Sequence, residues 1–402
     1  MIFLDLTSAC HTPLHSGVKR MQRGLHSLMK SRSWYRPVCW QSVLRDYRSL
    51  TSRDMPNLEI QPARALDRKS IHDVPIPGLL KDWKYAWRDR RLQLGWPDAM
   101  QPGDMLIVPD LLWDNREVFF RKHAPNGVRK IGFFHDAFPL RFPAESGIDA
   151  FLCARAVRML ALFDHVICVS KEAEQDLHHF WHKSGCRPTK TSALHWPAPF
   201  HEERLPSLSN FRAKNVLCVA RLESYKNHLR LLDACEELWK EGIEFSLTLI
   251  GCKSYANQTR RILRRIEQLQ AEGHCLQWSV HVSDKELKNG YQNCSFTVYP
   301  SIMEGFGLPI IESLWHGRPV VCAGTGALGE VANGGGCEIV DVLDSVSIRE
   351  GLRKLLCDEE HYGRLYQQSL DRPYKDWHAY WEEFTELLDV DCQVGKCFPT
   401  NE

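Results

Sequence analysis

Short apolar runs alternate with amphipathic stretches along most of the chain. Ile2–Leu6, Val38–Gln41, Met105–Val108, Lys130–Phe134 and His165–Val169 are too short for helices and are bounded by polar loops. They read as buried strands. A helical period appears between them, from Val18 to Lys30 after a loop with Pro13 and Gly17, and again from Phe151 to Phe163. Pro197-Ala-Pro199 and the polar residues to Asn210 read as a linker. A second series then begins, with strands at Val216–Ala220, Ser246–Ile250, Phe296–Tyr299, Pro319–Ala323 and Glu338–Val340. Helices such as His228–Lys240 and Gln258–Glu272 fill its gaps, and a last helix is expected from Pro373 to Leu388. The alternation predicts an α/β protein built as two Rossmann-like domains, each a mainly parallel sheet with helices on both faces. The expected boundaries are 1–199, 200–372, and a final 373–402 segment of helix and tail.

Composition narrows the function classes. A chain of 402 residues has room for two or three domains. A formal net charge of +1 argues against a general nucleic-acid binder. Fifteen cysteines, none in a Cys-x-x-Cys pair, suit free thiols in a reducing compartment rather than a disulfide framework. The start, Met-Ile-Phe-Leu-Asp, resembles a strand more than a signal peptide. No window offers the ~18 apolar residues of a membrane span, so a soluble cytoplasmic protein is expected.

The stretch Asp46–Gly103 fits the alternation less well. Within it Trp83 and Trp87 share a helical face beside Arg88, Arg90 and Arg91. Such a helix either packs by its aromatic side or meets a lipid-linked or membrane-held acceptor. The second reading would make the protein peripheral on the inner face of the membrane.

The chemistry gathers in the second series. Arg221 and Lys226 flank one strand-to-helix loop, a fork and a point charge that together suit a diphosphate. Taken alone they are equally ordinary surface cations. Further on, Tyr299-Pro300 leads through Glu304-Gly305-Phe306-Gly307-Leu308 to Pro309, expected to open a helix containing Glu312. A helix start with free amides attracts anions, and glycines allow close approach to the backbone. Two acids so near call for a ligand with hydroxyls as well as phosphates. Loops at the carboxyl ends of parallel strands are where such sheets bind ligands, which here would place them on one rim facing a cleft between the halves.

Glu304-x7-Glu312 with Gly-Phe-Gly-Leu-Pro between resembles the signature of retaining glycosyltransferases of the GT-B fold, the large family four. Arg221…Lys226-Asn227, Gly317–Val321 with Gly326–Glu330, His135-Asp136…Pro139, Val169-Ser170 and Ser16–Arg20 resemble further parts of that family's pattern. Two departures are a glycine at Gly329 where a proline is common, and one glycine, Gly17, where relatives often have two.

The resemblance implies a nucleotide-diphosphate-sugar donor and a glycan or lipid-linked acceptor, in bacterial surface polysaccharide or other glycoconjugate synthesis. The nucleotide sugar is substrate, so no cofactor and no metal are expected. Carried onto this chain, Glu312 would bind ribose, and Arg221 and Lys226 the diphosphate. Glu304 and the Gly305–Leu308 backbone would hold the sugar. His135 would touch that sugar, Gly17 would approach the phosphates, and the backbone near His281 and Val282 would meet the base. It also implies that the last helix returns to the first domain. Retention would follow a same-face route in which the leaving phosphate takes the acceptor's proton.

Other readings are an epimerase or phosphorylase on the same fold, a non-catalytic scaffold, and a glycosidase using Glu304 and Glu312. The last has no use for Arg221 and Lys226. His178, His182 and Cys186 are spaced for one helix face, yet read better as an exposed helix end than as a metal site.

Overall fold

A computed structural model describes residues 1–11, 16–42, 45–52, 54–58, 100–122, 127–146, 148–198, 204, 206, 208–253, 257–280 and 282–388. The Trp83–Arg91 stretch and His281 lie outside the described residues. The chain divides into two compact units. Among the described residues, the first takes 1–58, 100–198 and 376–388, and the second 204–375.

The first unit is a seven-stranded sheet in the order β3-β2-β1-β4-β5-β6-β7. Its strands are β1 (Ile2–Asp5), β2 (Tyr35–Gln41), β3 (Asp46–Ser49), β4 (Met105–Val108), β5 (Arg129–Phe134), β6 (His165–Cys168) and β7 (Lys190–Ala193). All pairings are parallel except β2 with β3. Strands β1, β4 and β6 are buried along their whole length, as strands covered on both faces must be. The expectation for helix Phe151–Phe163 shifts to Ile148–Leu160.

The second unit is a six-stranded, all-parallel sheet in the order β10-β9-β8-β11-β12-β13. Its strands are β8 (Asn215–Val219), β9 (Ser246–Ile250), β10 (Leu276–Ser279), β11 (Phe296–Tyr299), β12 (Val320–Ala323) and β13 (Cys337–Val340). Three strands escaped the sequence pattern: β3, β7 and β10. Each is a sheet edge, and none has a continuous buried run. The apolar signal that marks a central strand is missing there.

In both sheets the strand order reverses next to the first strand of the unit, between β1 and β4 and between β8 and β11. Crevices for ligands form at the carboxyl ends of strands at such switch points. At the first lies a buried network of charged groups. Arg116 bonds Asp5, and it bonds Asp110 at 2.9 Å, while Tyr47 Oη donates to Asp5 at 3.0 Å. At the second lie the loops after β8 and β11, which carry the residues singled out from the sequence.

The segment read as a linker holds an anchor. Arg204 donates to the carbonyls of Leu314 (3.1 Å), Trp315 (3.0 Å), Ser369 (2.6 Å) and Leu370 (2.9 Å), and lies over the Tyr374 ring at 4.3 Å. Those carbonyls end the helices Leu308–Trp315 and Glu359–Asp371, where the backbone lacks partners and carries partial negative charge. The last helix begins later than Pro373, running Trp377–Leu387 with its start capped by Asp376. It packs on the first unit, with Trp381 stacked on Trp34 and Phe384 on Phe133. No helix among the described residues is long and apolar enough to cross a membrane.

Candidate functional site

The site is built on the loops that leave β8 and β11. After β8 the chain makes a short 3-10 turn, Ser224–Lys226, and enters helix His228–Lys240 through Asn227 in a left-handed conformation (φ 62°). The buried Asn227 amide donates to the carbonyls of Pro300 (3.2 Å) and Val342 (2.6 Å). Ile302 N donates to the carbonyl of Tyr225 at 2.8 Å. These bonds tie the two loops together and fix where Lys226 and Glu304 point.

Lys226 Nζ lies 2.5 Å from Glu304 Oε1 and 3.0 Å from Tyr299 Oη, and Tyr299 Oη donates to the same carboxylate oxygen at 2.7 Å. The lysine side chain is 11% exposed and the glutamate 13%. Burial works against the lysine's charge, but the Glu304 carboxylate, with Tyr225 and Glu223 beside it, raises the ammonium above its ordinary range. Burial and Glu304 likewise push the Tyr299 phenol well up, so it remains a donor. Tyr299 was not singled out from the sequence. It looks like one more aromatic in a buried strand, and only its hydroxyl, reaching the end of β11, betrays the role.

Arg221, in the same loop, is more open and pairs with Glu223 Oε1 at 3.2 Å. Glu312 is separate from this cluster. It is buried, and its Oε2 accepts from Tyr291 Oη at 2.8 Å. Val282 packs on the cluster of Leu217, Ile250, Tyr291 and Cys294.

The helix begins at Leu308, one position ahead of the expected Pro309, with Gly307 before it at φ 118°. That left-handed value suits glycine. A side chain there would also press Leu328, since a Cβ would lie 3.0 Å from its Cδ2. Gly305 is half-buried and Phe306 buried. The Gly329 departure has a steric cause, because a Cβ there would lie 2.3 Å from the Gly324 carbonyl oxygen.

His135 and Gly17 belong to the first unit. His135 follows β5 directly, is buried, and its Nε2 donates to the Pro109 carbonyl at 3.0 Å. That bond requires the proton on Nε2, so Nδ1 is an acceptor, and it has no hydrogen-bond partner among the described residues. Burial lowers the ring's pKa to about 4, against the pull of Pro109 and Asp110. Gly17 opens helix Gly17–Met29 and is half-buried. His178 is taken up by Thr191 Oγ1 at 2.8 Å, at a helix that ends at Lys183.

This arrangement in the second unit puts a cation, a carboxylate, a phenol and a glycine-led helix start on one sheet rim, a set suited to phosphates and hydroxyls together. Residues 201–372 match the model of the family "Glycosyl transferases group 1". The serotype-specific mannosyltransferase WbdA of Escherichia coli is 28% identical over 259 residues, covering 59% of this chain and 31% of that protein. The matched part thus spans about a third of that relative's length. Among solved structures, sucrose-phosphate synthase of Thermosynechococcus elongatus has a TM-score of 0.68 at 15% identity, covering 98% of each chain. Anabaena HepE in complex with UDP and glucose has a TM-score of 0.64 at 14% identity, covering 96% of this chain and 99% of the other. At these identities the structures speak for the fold. Over residues 201–372 the chain is similar to the group 1 glycosyltransferases, and its two Rossmann-like units have the GT-B fold of these solved structures.

Proposed function

We propose that the protein is a retaining glycosyltransferase that moves a sugar from a nucleotide-diphosphate-sugar to a glycan or lipid-linked acceptor in bacterial surface polysaccharide synthesis. The observation that carries this reading is the Lys226–Glu304–Tyr299 cluster at the β8/β11 switch point. Lys226 is a held cation with a carboxylate for a partner. An incoming diphosphate would take over the ammonium, and Glu304 would then accept from hydroxyls of the donor sugar. Each charge exchanges one partner for another, so neither is left bare in a half-buried place.

When the sugar–phosphate bond breaks, negative charge grows on the diphosphate. Lys226, Arg221 and the free amides at Gly307 and Leu308 would meet it without reorganising. Glu312, fixed by Tyr291, would hold the ribose hydroxyls, with the backbone at Val282 toward the base. His135, neutral and with Nδ1 open as an acceptor, suits a sugar hydroxyl better than a phosphate. Gly17 would approach the phosphates from its helix start. The cations do the charge work a metal would do elsewhere, so no metal is assigned to this site. Peripheral association with the cytoplasmic face of a membrane is part of the reading where the acceptor is lipid-linked.

The test is a screen of UDP-, GDP- and ADP-sugars by thermal shift, which reports binding through mass action, followed by sugar transfer to acceptor glycans. Mannosyl donors come first in the screen, because relatives carry mannosyltransferase names. Acceptor-dependent release of nucleoside diphosphate, with the donor's anomeric configuration kept in the product, is expected. Stabilisation by no nucleotide sugar, or release of free sugar from glycans without any nucleotide, would remove the proposal.

A further inference from the structure

Far along the chain from Lys226 and Glu304, three buried side chains with metal-ligand chemistry converge in the first unit, with a histidine beside them. Cys10 and His11 end the short helix Thr7–His11, Cys39 lies in β2, and Asp54 stands just before the short helix Met55–Leu58. The ligand atoms of Cys10, Cys39 and Asp54 all lie within 4.8 Å of one another, and all three residues are buried. His11 Nε2 lies 3.5 Å from Cys39 Sγ but stands outside the 4.8 Å group that the other three form, and His11 itself is exposed. A tetrahedral zinc with ordinary Zn–S and Zn–N bonds places adjacent sulfur and nitrogen ligands about 3.6 Å apart. The histidine–cysteine spacing already matches that edge.

The carboxylate is prepared in the same sense. Asp54 Oδ2 accepts from Arg48 Nη1 (2.7 Å), Thr51 N (2.7 Å) and Thr51 Oγ1 (2.8 Å). Among the described residues Oδ1 accepts from Arg48 Nη2 alone, at 3.1 Å. Such outer hydrogen bonds orient a metal-binding carboxylate. With Arg48, two thiolates and Asp54, a divalent cation would leave the cluster electrically balanced.

We propose that Cys10, Cys39, His11 and Asp54 form a structural zinc site, distinct from the Lys226–Glu304 cluster. Two thiolates, an imidazole and a carboxylate are a borderline-soft set, three of them already gathered and the exposed imidazole turning in to complete it, which favours zinc over magnesium or calcium. Binding displaces the thiol protons of Cys10 and Cys39 to solvent. The ion would clip three pieces together: helix Thr7–His11, strand β2 and the turn before Met55–Leu58. The two helices have five and four residues, too short to hold by their own hydrogen bonds. The exposed His11 gives the ion its way in.

The test uses the full-length protein, isolated under reductant from zinc-supplemented cells. Elemental analysis is expected to find stoichiometric zinc. Cobalt put in its place should give a thiolate-to-metal charge-transfer band in the near ultraviolet. Cys10→Ser and Cys39→Ser should abolish that band, and Cys275→Ser, at an exposed thiol, should leave it. Because serine at a buried thiol can unfold the unit, His11→Ala is the deciding variant. Its circular dichroism should stay unchanged while zinc affinity, measured by chelator competition, drops ~10-fold or more, at least the scale of losing an outer-shell partner. Folded protein that takes up no zinc overturns the proposal. So does a cobalt form without the band, wild-type affinity in His11→Ala, or a Cys10–Cys39 disulfide in the reductant-isolated protein.

Discussion

Lys226→Met separates the two jobs that the cluster at the β8/β11 switch could have. The ammonium is 2.5 Å from Glu304 Oε1. At an effective dielectric of about 20 their gross attraction is about 7 kcal/mol, most of it offset by desolvation. Removing the cation leaves a carboxylate that is 13% exposed, with Tyr299 as its remaining hydrogen-bond partner among the described residues. Breaking a largely buried pair from one side costs about 3 kcal/mol of stability. If Lys226 also meets the departing diphosphate, turnover falls by ~10²-fold or more, about 2.7 kcal/mol of barrier. The double variant Lys226→Met/Glu304→Gln tells these effects apart. It carries no orphan charge and keeps an acceptor for Tyr299, so denaturant midpoints should recover most of the lost stability. Turnover, followed as nucleoside diphosphate release at saturating donor, should stay at the level of the single variant or below. Recovery of turnover along with stability would refute the reasoning, because the pair would then be scaffolding only.

Tyr291→Phe frees Glu312 from its 2.8 Å bond; donor KM should rise several-fold with kcat little changed, and an unchanged KM in steady-state kinetics would detach Glu312 from donor binding. Arg204→Ala should cost about 2–3 kcal/mol in urea unfolding, the scale of losing charged hydrogen bonds to carbonyls, without altering donor affinity in the folded protein. Stability should fall with acid: His26 and His135 are lowered by burial to about 4, so below pH 6.5 the unfolded chain binds protons that the folded one refuses. Their contribution is complete above about pH 7 and is lost as pH falls toward 4, about 2 kcal/mol each at pH 5. Asp5, raised to about 6 mainly by burial, opposes this by about 1 kcal/mol over the same range. A pH series of urea midpoints should show the net loss, reduced in His135→Asn; an equal loss in that variant would contradict it. Adding magnesium or manganese should leave the transfer rate unchanged, and strong activation by either would mean that the cations do not carry the leaving group's charge.

Much of this molecule was legible before folding was considered. Central strands such as β4, β6, β11 and β12 are buried along their whole length, and such strands write themselves as unbroken apolar runs. Helix His228–Lys240 was read to its ends, since its apolar period stops where Glu241 and Gly242 begin. The Glu304–Glu312 stretch announced a glycine turn and a helix start from residue types alone. What the sequence could not show was whatever depends on neighbours brought from afar. Strands β3, β7 and β10 owe their existence to a partner's hydrogen bonds rather than to an apolar face of their own. Asp5 and Arg116 look like surface charges until the β1/β4 switch buries them against each other. Cys10, Cys39 and Asp54 are unremarkable along the chain and meet only because β1 and β2 pair and the Met55–Leu58 helix docks beside them. Periodicity records which side of an element is apolar. Which polar groups then face one another, and so whether Lys226 is a loose surface cation or one half of a held pair, is decided when the sheet order sets two loops side by side.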